Sequence, residues 1–192
     1  MAADQDKDQD ATLDEDGLVI QTYLSRVLVV VPAKGFGEQA MRFARSSLAA
    51  VRVGTLSVSR EYDEMVVGRL QDEFLVDEKL EGQRMEDYSG ILICGGEGAE
   101  LADDPDVRRL LTEANASKKL IASYGNGLAA LASAGVVRGK RVTGTPETQD
   151  AAKRAGGKYT GRQIEESGHV VTSLDESAGM RFGKALASVV GI

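Results

Sequence analysis

The sequence is short of the residues on which many kinds of functional site are built. Its 192 residues include no tryptophan, one cysteine (Cys94) and one histidine (His169). A single cysteine excludes an internal disulfide and a cysteine-rich zinc site, and a single histidine argues against the usual zinc ligand sets. We therefore predict no metal site and no cofactor.

Long apolar runs are lacking as well. No stretch approaches the roughly 20 apolar residues that a transmembrane helix needs. The first residues are polar and acidic, whereas a secretory signal begins with basic residues and continues with an apolar segment. With 42% apolar and 28% charged residues, the composition is that of an ordinary globular domain. These features predict a cytoplasmic protein that does not enter a membrane.

Negative charge is concentrated at one end of the chain. The first sixteen residues carry −6 of the total net charge of −7, so the remainder is close to neutral. Such a segment is typical of a solvated, disordered tail. We predict a tail over residues 1–25 and a single domain over 26–192. Because that domain has no excess of basic residues, we predict no nucleic-acid partner.

Strand and helix patterns alternate along this domain. Apolar and β-branched runs predict buried strands, and apolar residues at helical spacing predict helices. This alternation predicts an α/β fold: a flavodoxin-like, doubly wound parallel sheet with helices on both faces. The predicted strands are at 26–31, 51–58, 87–94, 120–122, 136–142 and 170–172, with two short edge strands at 65–67 and 74–76. The predicted helices are at 38–51, from about 105, after 127, at 148–155 and at 177–190, the last with Met180, Leu186 and Val190 facing inward.

The most informative stretch is KKLIASYGNGLAALASAG at 118–135. A short apolar strand runs into a tight turn at 123–127, and an Ala/Leu-rich helix follows at once. Folds of the α/β-hydrolase kind present a nucleophile at such a strand-to-helix turn. Here the tip of the turn is Gly125, which has no side chain and adopts positive φ without steric cost. Glycine loops at 34–38 and 95–98 are predicted at the same edge of the sheet, where ligands bind in this architecture.

Four segments resemble the ThiJ/PfpI superfamily, whose fold is that of the class I glutamine amidotransferases. They are VLVVVPAKGFGE at 27–38, DYSGILICGGEG at 87–98, KKLIASYGNGLAALASAGVVRGKRVTGTP at 118–146 and GHVVTSLDESAG at 168–179. The resemblance covers about residues 26–192, and the third segment is the most specific. The superfamily includes deglycase and glyoxalase-type enzymes and intracellular peptidases.

The resemblance also implies that the catalytic groups are missing. The superfamily's enzymes use a cysteine at the tip of the turn, often with a glutamate from the first loop and a histidine after the following helix. These positions fall on Gly125, Ala40 and Thr145. A shift of two residues in the first loop would make Glu38 the counterpart of the glutamate. A large-subunit catalase ends in a similar domain without the cysteine, so this fold persists without the chemistry.

The resemblance also implies that the backbone groups that hold an oxyanion are retained, at Gly96 to Gly98 and at the N–H groups of the helix that follows the turn. We therefore predict a catalytically degenerate domain that binds a small anionic or carbonyl ligand or a protein partner. Relatives are often homodimers, which predicts a homodimer here. The predicted ligand-binding residues are Glu38, Gly96, Glu97, Gly98, Tyr124, Gly125 and Asn126.

Two other functions are open at this point. One is an active hydrolase or glyoxalase-type enzyme with a rebuilt site that uses Glu38, Tyr124 or Cys94. The other is a structural or chaperone-like dimer with an unoccupied pocket. Cys94 ends a predicted buried strand, where a cysteine is most often a small apolar residue. His169 has no motif that links it to the turn, and we expect it at the surface.

Overall fold

The computed structural model describes residues 12–13, 19–20, 23–62, 65–97 and 100–190. In chain order the strands are β1 (Thr12–Leu13), β2 (Val19–Ile20), β3 (Ser25–Val30), β4 (Lys34–Phe36), β5 (Val53–Ser59), β6 (Val66–Gly68), β7 (Glu73–Phe74), β8 (Glu78–Lys79), β9 (Gly90–Ile93), β10 (Leu120–Tyr124), β11 (Arg141–Val142), β12 (Lys158–Tyr159), β13 (Ile164–Ser167) and β14 (Val170–Ser173). The helices are α1 (Glu38–Ala49), α2 (Glu100–Asp103), α3 (Pro105–Ala116), α4 (Leu128–Ser133), α5 (Gln149–Arg154) and α6 (Gly179–Val190).

A seven-stranded sheet in the order β13-β14-β10-β9-β3-β5-β8 forms the centre of the domain. Neighbouring strands from β14 to β8 are parallel, and β13 pairs antiparallel with β14. Parallel strands need crossover connections, which the helices supply. The carboxyl ends of β9, β10 and β14 therefore meet at one edge of the sheet.

Alternate residues of β3 show how the sheet separates two cores. Val27 and Val29 pack on one face with residues of α1 and α6, whereas Leu28 and Val30 pack on the other with residues of α3 and α4. Because both faces are covered, the strands are apolar at successive positions, as the sequence indicated. The prediction of a flavodoxin-like, doubly wound α/β sheet is confirmed.

Several details of the fold differ from the sequence prediction. Residues 136–140 form turns instead of a strand, although Val136 and Val137 are buried. The two short edge strands, β6 and β7, pair with each other, and β6 also pairs with β4 in a separate sheet of three strands. The antiparallel strand β13 was missed, because its sequence IEES lacks the apolar run of its neighbours.

The last helix was predicted to face inward at three residues, of which Leu186 is buried, Val190 is half-buried and Met180 is not buried. Met180 is 55% exposed, whereas the neighbouring apolar contacts of α6 are made by Phe182 and Leu186, which are fully buried.

Residues 12–13 and 19–20, inside the predicted tail, pair as an antiparallel β1–β2 ladder. The rest of residues 1–22 lies outside the described residues, and disorder there stays a prediction. Among the described helices, none combines the length and the apolar character that crossing a membrane requires.

Candidate functional site

The turn after β10 has the shape that the sequence predicted. The strand runs into a 3₁₀ turn at Gly125–Gly127, and α4 begins at the next residue. Gly125 has φ = +62°, a left-handed conformation that side chains other than glycine adopt at a cost. Among the described residues, the heavy atoms nearest to a Cβ built on Gly125 are 3.9 Å away, in Gly95 and Thr145. The tip of the turn therefore faces open space.

That space is a cavity of about 560 Å³, within the range of roughly 300 to 1,000 Å³ that is usual for small-molecule sites. Its wall is formed by residues 95–96 after β9, residues 124–126 at the turn and residues 175–176 after β14. The loop at 145–148 and the side chain of Arg69 close the remaining sides. The cavity thus lies at the carboxyl ends of parallel strands, the edge at which ligands bind in this architecture.

The structure brings together four of the seven residues predicted to bind a ligand. The four that line the cavity are Gly96, Tyr124, Gly125 and Asn126. Glu38 and Glu97 do not line it, and Gly98 lies outside the described residues. The sequence therefore predicted the glycines and turn residues of the cavity better than its acidic side chains.

Glu38 was expected at the mouth of the cavity, and the structure buries it elsewhere. Its Oε1 accepts a hydrogen bond of 2.8 Å from the backbone N–H of Leu70, and its carboxylate packs against the backbone of Gly68, where a Cβ would clash. Glu38 lines a separate cavity with Phe36 and Met41. The first turn of α1 therefore directs this carboxylate to the loop after β6 instead of toward Gly125.

Glu97 also differs from its prediction. Its side chain is exposed and packs over Gly35, a glycine with φ = +70° that leaves no room for a Cβ. The backbone N–H of Glu97 donates a hydrogen bond of 2.9 Å to the carbonyl of Lys34. Glu97 thus holds the first two glycine loops together and stays outside the cavity.

Asn126 joins the turn to the Gly95–Gly96 loop. The N–H of Gly96 donates a hydrogen bond of 2.8 Å to Asn126 Oδ1, and Asn126 Nδ2 donates a second bond to the carbonyl of Gly96. Gly95 lies so close to the carbonyl oxygen of Tyr124 that a Cβ would clash with it. The Gly96 N–H that was expected to hold an oxyanion is therefore already bonded within the chain.

Tyr124 forms the floor of the cavity. It is buried, and its hydroxyl donates a hydrogen bond of 3.0 Å to the carbonyl of Gly37. Burial raises the pKa of Tyr124 well above its usual value, and the nearby Cys94, Glu176 and Glu38 raise it further. The phenol is neutral across the physiological range and serves to fill space.

Cys94 is buried at the end of β9 and does not line the cavity. Burial raises the pKa of its thiol to about 12, and a hydrogen bond with Tyr124 and the charge of Arg45 counteract only part of this effect. Since the thiolate is the nucleophilic form, this thiol is inert near neutral pH.

The remaining positions of the superfamily's catalytic groups carry no acid or base. Ala40 lies in α1 and is buried in the core, and Thr145 lines the cavity with its N–H bonded to the carbonyl of Gly125 at 3.3 Å. His169 is half-buried at the start of β14, at the sheet edge opposite the cavity, where its Nε2 lies 3.0 Å from Asn115 Oδ1. Burial, followed by the charges of Lys140 and Lys118, lowers the pKa of His169.

Sequence reasoning missed the charged residues of the cavity wall. Arg69 forms an ion pair of 3.0 Å with Glu176, and Asp175 and Glu147 also line the space. Asp175 follows the carboxyl end of β14, as the glycine loops follow β9 and β10, so the strand-end rule applied to β14 would have found it.

Asp175 is held in place by three hydrogen bonds to its Oδ1. They come from the N–H of Ser177 at 2.8 Å, the hydroxyl of Ser177 at 2.6 Å and Gln163 Nε2 at 3.0 Å. Burial acts to raise the pKa of Asp175, but these bonds outweigh it and hold the pKa below its usual value.

In the part of the chain that the structure describes, no three His, Cys, Asp or Glu side chains gather closely enough to hold a metal ion.

A family model described as the DJ-1/PfpI family matches residues 25–189. The chain belongs to the DJ-1/PfpI family. This confirms the resemblance to the ThiJ/PfpI superfamily that the four sequence segments indicated. Among curated proteins, none matches the chain.

Solved structures of DJ-1/PfpI proteins share the fold at low sequence identity. A ThiJ/PfpI domain protein from Brachyspira murdochii is 18% identical, with a TM-score of 0.79 over 86% of this chain and 95% of that one. Drosophila melanogaster DJ-1beta is 21% identical, with a TM-score of 0.76 over 88% of this chain and 91% of that one. A protein from Anabaena variabilis with a DJ-1/ThiJ/PfpI-like and a ferritin-like domain is 19% identical, with a TM-score of 0.80 over 87% of this chain and 48% of that one.

Proposed function

We propose that this chain is a catalytically degenerate DJ-1/PfpI domain that binds a small ligand in the cavity above Gly125. The observation that carries the proposal is the tip of the turn, where a glycine with φ = +62° faces a cavity of about 560 Å³. A site of this shape retains the space and the backbone for a ligand but presents no nucleophile. It is therefore expected to bind and not to react covalently.

The side chains available for a rebuilt enzyme site also support this proposal. A nucleophile needs a base within hydrogen-bond reach. Cys94 is buried away from the cavity, the Tyr124 hydroxyl is bonded to Gly37, and Glu38 is bonded to Leu70. No two of these three side chains form a pair of nucleophile and base that faces the cavity.

Turnover by the purified protein tests the absence of catalysis. With methylglyoxal as substrate, we expect the wild-type chain to remove aldehyde no faster than its Cys94→Ser and Glu38→Gln variants, which share the same uncatalysed reaction of lysine and arginine side chains. Conversion that is abolished by Cys94→Ser or by Glu38→Gln would overturn the proposal and favour an enzyme with a rebuilt site.

Filling the cavity tests ligand binding. Ala129 lies on α4 and lines the cavity, so Ala129→Phe should occupy it, whereas Ala116→Phe at the exposed end of α3 should leave it open. The probes are benzylammonium, benzyl alcohol and phenylacetate, followed through the amide signals of Gly95, Gly96 and Gly125 in NMR spectra. We expect at least one probe to shift these signals in wild type and Ala116→Phe but not in Ala129→Phe. If no probe shifts them, the binding proposal is wrong.

Homodimer formation stays a prediction.

A further inference from the structure

The cavity wall carries more negative than positive charge. Among the described residues, its charged side chains are Glu147, Asp175 and Glu176 against Arg69, and Arg69 is already paired with Glu176 at 3.0 Å. The backbone N–H of Glu147 holds the pKa of this carboxyl below its usual value. Asp175 also has a lowered pKa. These carboxyl groups are thus ionised near neutral pH, and an anion entering the cavity would meet like charge.

Three hydrogen-bond donors of the cavity wall are bonded within the chain. The N–H of Gly96 is bonded to Asn126, the hydroxyl of Tyr124 to Gly37, and the hydroxyl of Thr148 to the carbonyl of Thr145 at 2.7 Å. None of these three groups is free to stabilise a carboxylate or an oxyanion. The hydroxyl of Thr145 also lines the cavity, is buried without a partner among the described residues, and can donate or accept a hydrogen bond.

Two carboxylates of the cavity wall, in contrast, have acceptor oxygens to which the described residues give no hydrogen bond or no ion pair. Glu176 Oε2 is buried and has no hydrogen-bond partner among the described residues. The exposed carboxylate of Glu147 has no ion pair within the described part of the chain. A ligand that supplies donors and positive charge would therefore complement this wall, as an ammonium or guanidinium group does.

We propose, on the basis of the ligand-binding function proposed above, that the cavity selects a small organic cation. The cationic group, an ammonium or guanidinium, lies at the carboxylates of residues 147 and 175–176, and an uncharged body lies against Gly125, Ala129 and Ala151. A metal ion does not fit as the cation, because no group of three metal-ligating side chains is present in the described residues. This assignment replaces the anionic ligand that the resemblance implied.

Three probes of similar shape and different charge test the selection. Benzylammonium, benzyl alcohol and phenylacetate are titrated at pH 7 and low salt, and the shifts of the Gly95, Gly96 and Gly125 amide signals give the dissociation constants. We expect benzylammonium to bind at least about ten-fold more tightly than phenylacetate, as one charged hydrogen bond supplies. Equal or tighter binding of phenylacetate or benzyl alcohol overturns the cation assignment but leaves the binding function standing. Binding of none overturns the binding function itself.

Two variants change the net charge of the cavity wall in opposite directions. Glu147→Gln should weaken benzylammonium roughly three- to ten-fold and leave benzyl alcohol unchanged. Its matched control is Glu81→Gln, a change at an exposed acid that does not line the cavity. Arg69→Gln removes the cation that competes for Glu176, so benzylammonium should bind more tightly. Weaker binding of benzylammonium to Arg69→Gln, or equal binding to Glu147→Gln and wild type, contradicts the assignment.

Discussion

Gly125 and Cys94 lie at or just beyond the carboxyl ends of neighbouring strands, and each has half of what a nucleophilic site needs. Gly125 has access, because nothing lies within 3.9 Å of a Cβ built there, but it has no reactive group. Cys94 has the reactive group, but it is buried between the sheet and the helices α1 and α6, with its thiol pKa raised to about 12. The comparison shows that position on the sheet, and not the presence of a cysteine, decides whether thiol chemistry is available.

The largest effect is expected when the thiol is moved from one position to the other. In a Cys94→Ala background, Gly125→Cys should react with iodoacetamide at pH 8 at least about a hundred-fold faster than Cys94 does in the folded wild type, because the new thiol is exposed and is not raised in pKa by burial. Mass spectrometry of the alkylated protein gives both rates. Wild type unfolded in urea is the control, since its Cys94 should then react normally. A new thiol as slow as Cys94 would mean that the cavity is closed.

The glycines on the two sides of the turn should differ in their tolerance of a methyl group. A Cβ on Gly95 would clash with the carbonyl oxygen of Tyr124, which belongs to the backbone and cannot move aside. Gly95→Ala is therefore expected to lower the free energy of unfolding by about 3 to 5 kcal/mol. Gly125→Ala has space and should lose only about 1 to 2 kcal/mol, the cost of a left-handed backbone. Urea unfolding measures both, and equal losses would show that the tip is not open.

Asn126 links these two sides, and its removal should have a smaller effect. Asn126→Ala loses both hydrogen bonds to Gly96, which we expect to lower the free energy of unfolding by about 1 to 2 kcal/mol. The same change exposes the Gly96 N–H, so its hydrogen exchange should accelerate and phenylacetate should bind more tightly. Gln39→Ala on the exposed face of α1 is the control for loss of an amide side chain. Unchanged exchange at Gly96 would contradict the assigned bonds.

The sequence was sufficient for the five central strands of the sheet and for the edge at which the cavity lies. Strands such as β3 and β10 are covered on both faces, so burial makes nearly every residue apolar and the pattern is unmistakable. The strand β13 lies at the sheet edge and has no such requirement, which is why its polar sequence was not recognised. Met180 was misplaced because two helical stripes of α6 are apolar and only packing against α1 decides between them.

The cavity's backbone was predictable, but its charges were not. Glycines at Gly95, Gly96 and Gly125 mark close approaches and a left-handed turn, and these are local requirements that the sequence states directly. The ion pair of Arg69 with Glu176 joins residues 107 positions apart, and the burial of Glu38 depends on the loop that contains Leu70. Such contacts depend on how distant loops pack, and no local pattern encodes them.

The smallest effect at neutral pH is expected for Cys94→Ala, and it grows in a defined direction as the pH rises. Near pH 7 the thiol is neutral in both the folded and the unfolded chain, so the change should alter the free energy of unfolding by only about 1 kcal/mol. Burial raises the thiol pKa from 9.0 to about 12. Above pH 9 the unfolded chain therefore loses a proton that the folded chain keeps, and the wild type loses stability progressively up to about pH 12. Cys94→Ala lacks this loss, so its stability relative to wild type should rise over that range. Burial raises the pKa of Tyr124 in both proteins, and removal of the part that is due to Cys94 acts in the same direction. Urea unfolding at pH 7, 9 and 10.5 measures the difference, and a constant difference would mean that water reaches Cys94 in the folded chain.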